Sequence, residues 1–128
     1  MKAFQFSVFF SLLFFSCLLV AQSHKGKCGL EISKAYTQNV LGKNIGYYVE
    51  FKNNSAIAID AIEWTAAFYN NFNELKGKRD GAWSSGNIIN PIKPGDTTKD
   101  LETNWVKDAT KVFIIIKRVH FADGKICK

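Results

Sequence analysis

Few side chains in this sequence have chemistry to offer: His24 and His120, Cys28 and Cys127, and a basic cluster of Lys76, Lys78 and Arg79 close to Trp83. If the chain were cut after Ala21, the new amine, two backbone amides and the His24 imidazole would form a square-planar nitrogen set suited to Cu(II) or Ni(II). A cut after Ser23 would make His24 the first residue, an amine-and-imidazole chelate that needs a second histidine, and His120 is the other one in the chain. The basic cluster beside an indole suits a sugar or an anionic polymer, by stacking and charge-assisted hydrogen bonds. In the competing reading Trp83 folds back to cap the core. Cys28 and Cys127 suit a structural disulfide, because no Cys-x-x-Cys is present to lower a thiol pKa.

Those residues need a compartment, and the amino terminus supplies one. Lys2, the apolar run Phe4 to Val20 and the small residues Ala21 and Ser23 have the layout of a cleavable export signal over residues 1–23, expected to be helical. The run is at the lower limit for spanning hydrocarbon, and Ser7, Ser11 and Ser16 interrupt it, so no stable membrane anchor is expected after cleavage. A secreted or periplasmic chain follows. In that oxidising setting Cys28 and Cys127 are expected to pair, stapling the two ends of the mature chain. Removing 23 of the 128 residues also removes one of the 17 basic side chains and none of the 11 acidic ones, so 16 against 11 leaves a net charge of +5. Outside the cytoplasm that balance points to an anionic glycan or another exported protein as partner, and away from nucleic acid.

Catalytic patterns are missing. There is no Gly-x-Ser-x-Gly elbow and no His-Glu-x-x-His. Paired carboxylates could arise among Asp60, Glu63, Asp100 and Glu102, but these fall at strand ends and edges. No cofactor is expected.

The scaffold reads as a single β domain over residues 24–128. Leu30, Ile32, Lys34 and Tyr36 alternate as a first strand, followed by a connection over residues 38–44. Ile45, Tyr47, Val49 and Phe51 form one apolar row of a half-buried strand, ended by a turn at Asn53-Asn54-Ser55, which also has the form of a glycosylation sequon. Residues 56–72 satisfy helical and strand spacing; strand is preferred, with a bulge near Asp60 and Ala61. Residues 70–86 read as a long wet connection with room for a short strand. Thr97 to Thr103 spells a short strand or, through Thr97 and Asp100, a capped helical turn. Val112 to Ile116 is predicted to be buried on both faces of a strand over residues 111–121. Asp123-Gly124 then turns a brief return strand carrying Cys127. Trp64 and Trp105 are assigned to the core or its rim. About seven short antiparallel strands predict a two-sheet, immunoglobulin-like sandwich, without the central cysteine pair of antibody domains.

Four stretches carry a resemblance: residues 49–55 (Val-Glu-Phe-Lys-Asn-Asn-Ser), residues 62–70 ending in Ala67-Phe68-Tyr69-Asn70, residues 91–95 (Pro-Ile-Lys-Pro-Gly) and residues 119–124 (Val-His-Phe-Ala-Asp-Gly). In this order they resemble the FxLYD-like exported bacterial sandwich domains, which implies fold and export but no catalytic residues. The expected function is that of an exported, non-catalytic binding or accessory module. Two alternatives stand beside it: a small periplasmic copper-binding protein using His24, and an inhibitor of a secreted hydrolase.

Overall fold

Alternation of apolar and polar residues governs the architecture seen in the computed structural model, which describes His24 and residues 26–128. The expected signal segment lies outside the described residues. Seven strands form: β1 (Leu30–Val40), β2 (Lys43–Asn53), β3 (Ile59–Tyr69), β4 (Leu75–Ser84), β5 (Thr97–Glu102), β6 (Lys111–Phe121) and β7 (Ile126–Cys127). They make two antiparallel sheets, ordered β1-β2-β5 and β4-β3-β6-β7. This is the immunoglobulin-like sandwich, with one variation: the fourth strand pairs with the third, where the seven-stranded constant-type domain places it beside the fifth.

The core is the inner row of each sheet. Tyr47, Val49 and Phe51 of β2 face Ile62, Trp64, Ala66 and Phe68 of β3 and Ile114, Ile116 and Val119 of β6, all buried. Trp64 packs its ring on Phe51, with centroids 5.0 Å apart, and its indole N–H donates to the Tyr47 hydroxyl at 2.9 Å. Burial pushes the Tyr47 phenol up to about 12, so it remains a neutral partner for the indole across the physiological range. Asn53 is buried as well. Its amide donates to the carbonyls of Ile57 and Ile92, and its Oδ1 accepts from the Ser55 N–H and hydroxyl. The Asn53-Asn54-Ser55 stretch thus serves the turn, and no room is left on that nitrogen for a sugar.

Bulges decide which side chains leave this core. Ile59 and Ala61 face consecutive partners, Phe121 and His120, so Asp60 is the extra residue, where the sequence placed a bulge. Four others were not legible, among them Ile45 of β2, extra between the Gln38–Gly46 and Asn39–Asn44 pairs, and Lys76 of β4, extra between Phe68–Gly77 and Tyr69–Leu75. Ile32 faces Phe51 and Lys34 faces Glu50, so Ser33 is extra, pinned by its hydroxyl on the Glu50 carbonyl and carboxylate. That slip moves Lys34 and Tyr36 off the inner row that Leu30 and Ile32 begin and onto the outer face. Glu63 faces Arg118 while Trp64 faces Ile116, so Lys117 is extra in β6.

Several expectations are corrected. β1 continues through residues 38–40, and the connection there is only Leu41-Gly42, both at positive φ, a two-residue hairpin turn. Ile45 is exposed instead of joining the core row. Residues 75–84 are a full ten-residue edge strand, not a wet connection. Its glycines, which read as loop, sit against the core: packing requires Gly81, where a Cβ would lie 2.2 Å from the Trp64 indole, while a Cβ on Gly77 would press on the Val106 methyls at 3.2 Å. Val112 to Ile116 is buried on one face, since Ile115 is 39% exposed on the other. Thr97–Glu102 is strand, with no helical turn.

The ends are joined as expected. Cys28 and Cys127 form a disulfide with Cα atoms 6.0 Å apart and a sequence separation of 99, linking the start of β1 to β7 of the other sheet. Replacing both cysteines with alanine is expected to lower the unfolding free energy by about 2–5 kcal/mol in urea denaturation. Gly81→Ala, which drives a methyl into the Trp64 ring, is expected to cost about 3 kcal/mol in the same measurement, far above the effect of Gly86→Ala, where a Cβ meets nothing within 4 Å.

Candidate functional site

The outer faces of the two sheets hold the side chains left over from the core, and strand register sorts them into rows. On β4, Trp83 points inward and is 8% exposed, so the indole expected to stack on a ligand belongs to the core. Lys78 stands on the outer face opposite Ala67, Lys76 is the extra residue between the Phe68–Gly77 and Tyr69–Leu75 pairs, and Arg79 has the inward parity and donates to the Lys78 carbonyl at 2.9 Å. The expected cluster thus loses its aromatic member, although three cations remain along the edge of β4.

An aromatic row appears elsewhere. Tyr36, Tyr48 and Leu101 lie directly opposite one another across β1, β2 and β5 on the outer face of the three-stranded sheet. The two tyrosine rings stack with centroids 4.8 Å apart at 25°, and Tyr36 and Leu101 are 49% and 59% exposed. Three strands at their ordinary spacing make this strip roughly 10 Å long between its outer strands. The next row on the same face is Lys34, Glu50 and Lys99, with both lysines exposed. The Glu50 carboxylate is already held by Ser33. Sequence spacing hid this site because unbroken alternation puts Tyr36 in the core. The clue available was that Tyr48 falls on the polar parity of β2.

The four carboxylates that could have paired do not form one catalytic set. Asp60 hydrogen-bonds His120 Nδ1, and Glu63 takes a two-pronged bond from Arg118, 2.7 Å on each side. The hydrogen bond from Arg118, then its charge, holds the Glu63 carboxyl below its ordinary value, and Glu63 raises Arg118 in turn. Glu63, Arg118 and His120 border a shallow cavity of about 260 Å³ with Ala61, Ile62 and Ile126. A His–Asp pair can act as a base if a nucleophile is in reach. The serine on that row, Ser84, lies beyond Ala61 on the far strand, two strand spacings or roughly 10 Å from His120. Asp100 and Glu102 stand together on β5; burial first, then the Asp100 charge, raises the Glu102 carboxyl.

The histidines do not converge. His24 lies beside β6, its ring 5.9 Å from that of Phe113 and its Nδ1 accepting the Ile114 N–H across 3.4 Å. His120 is six residues further along the same strand, roughly 20 Å away, so the two-histidine copper site is not assembled. Nδ1, the nitrogen that would close a chelate with the preceding amides, is turned onto the protein. Among the described residues no group of three His, Cys, Asp or Glu could hold a metal ion.

No family model matches this chain, and no curated protein is significantly similar to it. Among solved structures, a hypothetical protein from Peptoclostridium difficile 630 is similar at a TM-score of 0.54 and 13% identity, over 81% of this chain and 88% of that one. That likeness shows the fold alone.

Burial lowers the His24 pKa below 6.5, and only its neutral ring can accept the Ile114 N–H. Because the folded value is the lower one, this contact contributes fully above pH 6.5 and is lost as the pH falls through the folded value. A proton NMR titration is expected to place the His24 midpoint below 6.5, with Ile114 amide exchange accelerating over the same range after correction for intrinsic rates.

Proposed function

We propose that this chain is an exported, non-catalytic sandwich module that binds a glycan, with anionic glycans preferred, through the outer face of its three-stranded sheet. The observation that carries the reading is the Tyr36–Tyr48–Leu101 strip, an exposed apolar lane across three strands, with Lys34 and Lys99 in the adjoining row. Sugar rings have apolar faces that stack on tyrosine, while hydroxyls and carboxylates at their edges accept hydrogen bonds from ammonium groups. The strand backbone fixes these groups before a ligand arrives, which limits the ordering cost of binding.

Export is supported by the signal-like residues 1–23 and by the disulfide, since such bonds persist in oxidising compartments. The resemblance to FxLYD-like exported domains agrees with export. A non-catalytic role is favoured by the separation of the His120–Asp60 pair from any serine on its row.

Affinity electrophoresis through gels containing polygalacturonate, alginate or uncharged dextran tests the proposal. Retardation is expected in the two anionic polymers. Tyr36→Ala is expected to weaken it about tenfold, from the loss of roughly 1–2 kcal/mol of stacking and burial. Lys34→Ala with Lys99→Ala should weaken it more at low salt than at high salt. Equal mobility of the wild type in all gels, or retention undiminished by Tyr36→Ala, would remove the strip from consideration.

A further inference from the structure

Two apolar side chains stand clear of the protein at one end of the sandwich. Leu41 is 99% exposed at the tip of the β1–β2 hairpin, and Phe72 is 83% exposed in the loop between β3 and β4. Hydrogen bonds tie their loops into one cap through the segment between β5 and β6. Asn44 Nδ2 donates to the Ala109 carbonyl at 3.0 Å, while the Thr110 hydroxyl and Lys111 Nζ donate to Asn71 Oδ1 and Asn73 Oδ1, both at 2.9 Å. Neither apolar side chain closes its own turn. The Phe72 loop is held by Asn70, whose Oδ1 accepts from the Phe72 and Glu74 N–H groups. Leu41 works against its turn. With φ of 52° at Leu41 and 79° at Gly42, the hairpin has the two positive-φ residues of a type I′ turn, which favours Asn-Gly and penalises a bulky first residue. The fold alone would be better served by asparagine at position 41.

A lone exposed apolar residue is ordinary. Two at the tips of a cross-braced cap, one of them held at a conformational cost, describe an end built to meet something apolar, and the charge around them selects what that is. Lys43, Lys76, Lys107 and Lys111 stand in and beside these loops against Glu74 and Asp108. At the opposite end Ile88 is 95% exposed, yet in the loops over residues 85–96 and 122–125 Lys93 and Lys125 are matched by Asp96 and Asp123. We propose that the Leu41–Phe72 end docks reversibly on the surface of an anionic phospholipid bilayer. The tips come from different sheets, which stack roughly 10 Å apart, so both can rest on one plane. Two separated contacts among lysines give a protein partner no continuous apolar patch to cover, whereas a fluid bilayer admits each tip by itself. Leu41 and Phe72 then reach the acyl boundary, and the exposed Lys43 and Lys107 meet lipid phosphates at headgroup level. The strands stand upright on the membrane in this pose. The Tyr36–Tyr48–Leu101 strip, on the side of its sheet, stays open, and the docking does not depend on it.

The test sediments the protein, as isolated after processing, with vesicles of phosphatidylcholine alone or with about a third phosphatidylglycerol. Binding is expected to the anionic vesicles and to weaken as salt rises. Leu41→Asn and Phe72→Ser are each expected to lower the partition coefficient about tenfold, and Ile88→Ser, at the other end, to leave it unchanged. Leu41→Asn is expected at the same time to raise the midpoint of thermal unfolding, because it gives the turn its favoured Asn-Gly pair. A lowered midpoint would overturn the proposal, since Leu41 would then serve the fold. So would absence of binding to anionic vesicles at low salt, binding undiminished by both tip variants, or an equal loss from Ile88→Ser. A dimer in vesicle-free solution that Leu41→Asn dissociates would overturn it as well, because a second copy would then cover the tips.

Discussion

The two sheets are held in one arrangement by Trp64. It belongs to β3, yet its ring packs on Phe51 and its N–H reaches Tyr47, both on β2 of the opposite sheet. An indole buried to 0% exposure would leave an expensive unpaired donor without that hydroxyl. Space for the ring comes from the neighbouring strand, where Gly81 stands directly opposite and has no side chain to collide with it. One large side chain thus sets the sheet spacing, explains a buried tyrosine and requires a glycine in the middle of a strand.

The inner rows being set, the bulges determine what the molecule shows to its surroundings. A strand side chain changes face whenever the register slips by one residue. The extra residue Ser33 sends Tyr36 outward to meet Tyr48, and the extra residue Lys117 restores Val119 and Phe121 to the core beyond it. Asp60, another extra residue, reaches His120 on the outer face. Bulges commonly re-aim side chains in this way. The candidate glycan strip is a direct product of one of them.

The margins follow a different logic. The disulfide draws the start of β1 to β7, and His24 and Lys27 make hydrogen bonds to β6 and β1 respectively. Open edges invite pairing with other chains, and charged side chains blunt that tendency. β4 carries Lys76, Lys78, Arg79 and Asp80 along its length.

Local pattern by itself determined the all-β class, the strands around Tyr47 to Phe51 and Val112 to Phe121, the bulge at Asp60 and the pairing of the terminal cysteines. These depend on two-residue alternation and on composition, which adjacent residues display. It failed for β4, because the reason for Gly77 and Gly81 lies in Val106 and Trp64, distant in sequence. It failed for Tyr36, because a bulge at Ser33 is specified by Glu50 on the partner strand. Trp83 could be read as exposed or buried until β4 was known to be a strand facing the core. Tertiary structure alone decided which aromatics meet water, since the face a side chain occupies is a property of paired strands and their register, not of one strand's composition.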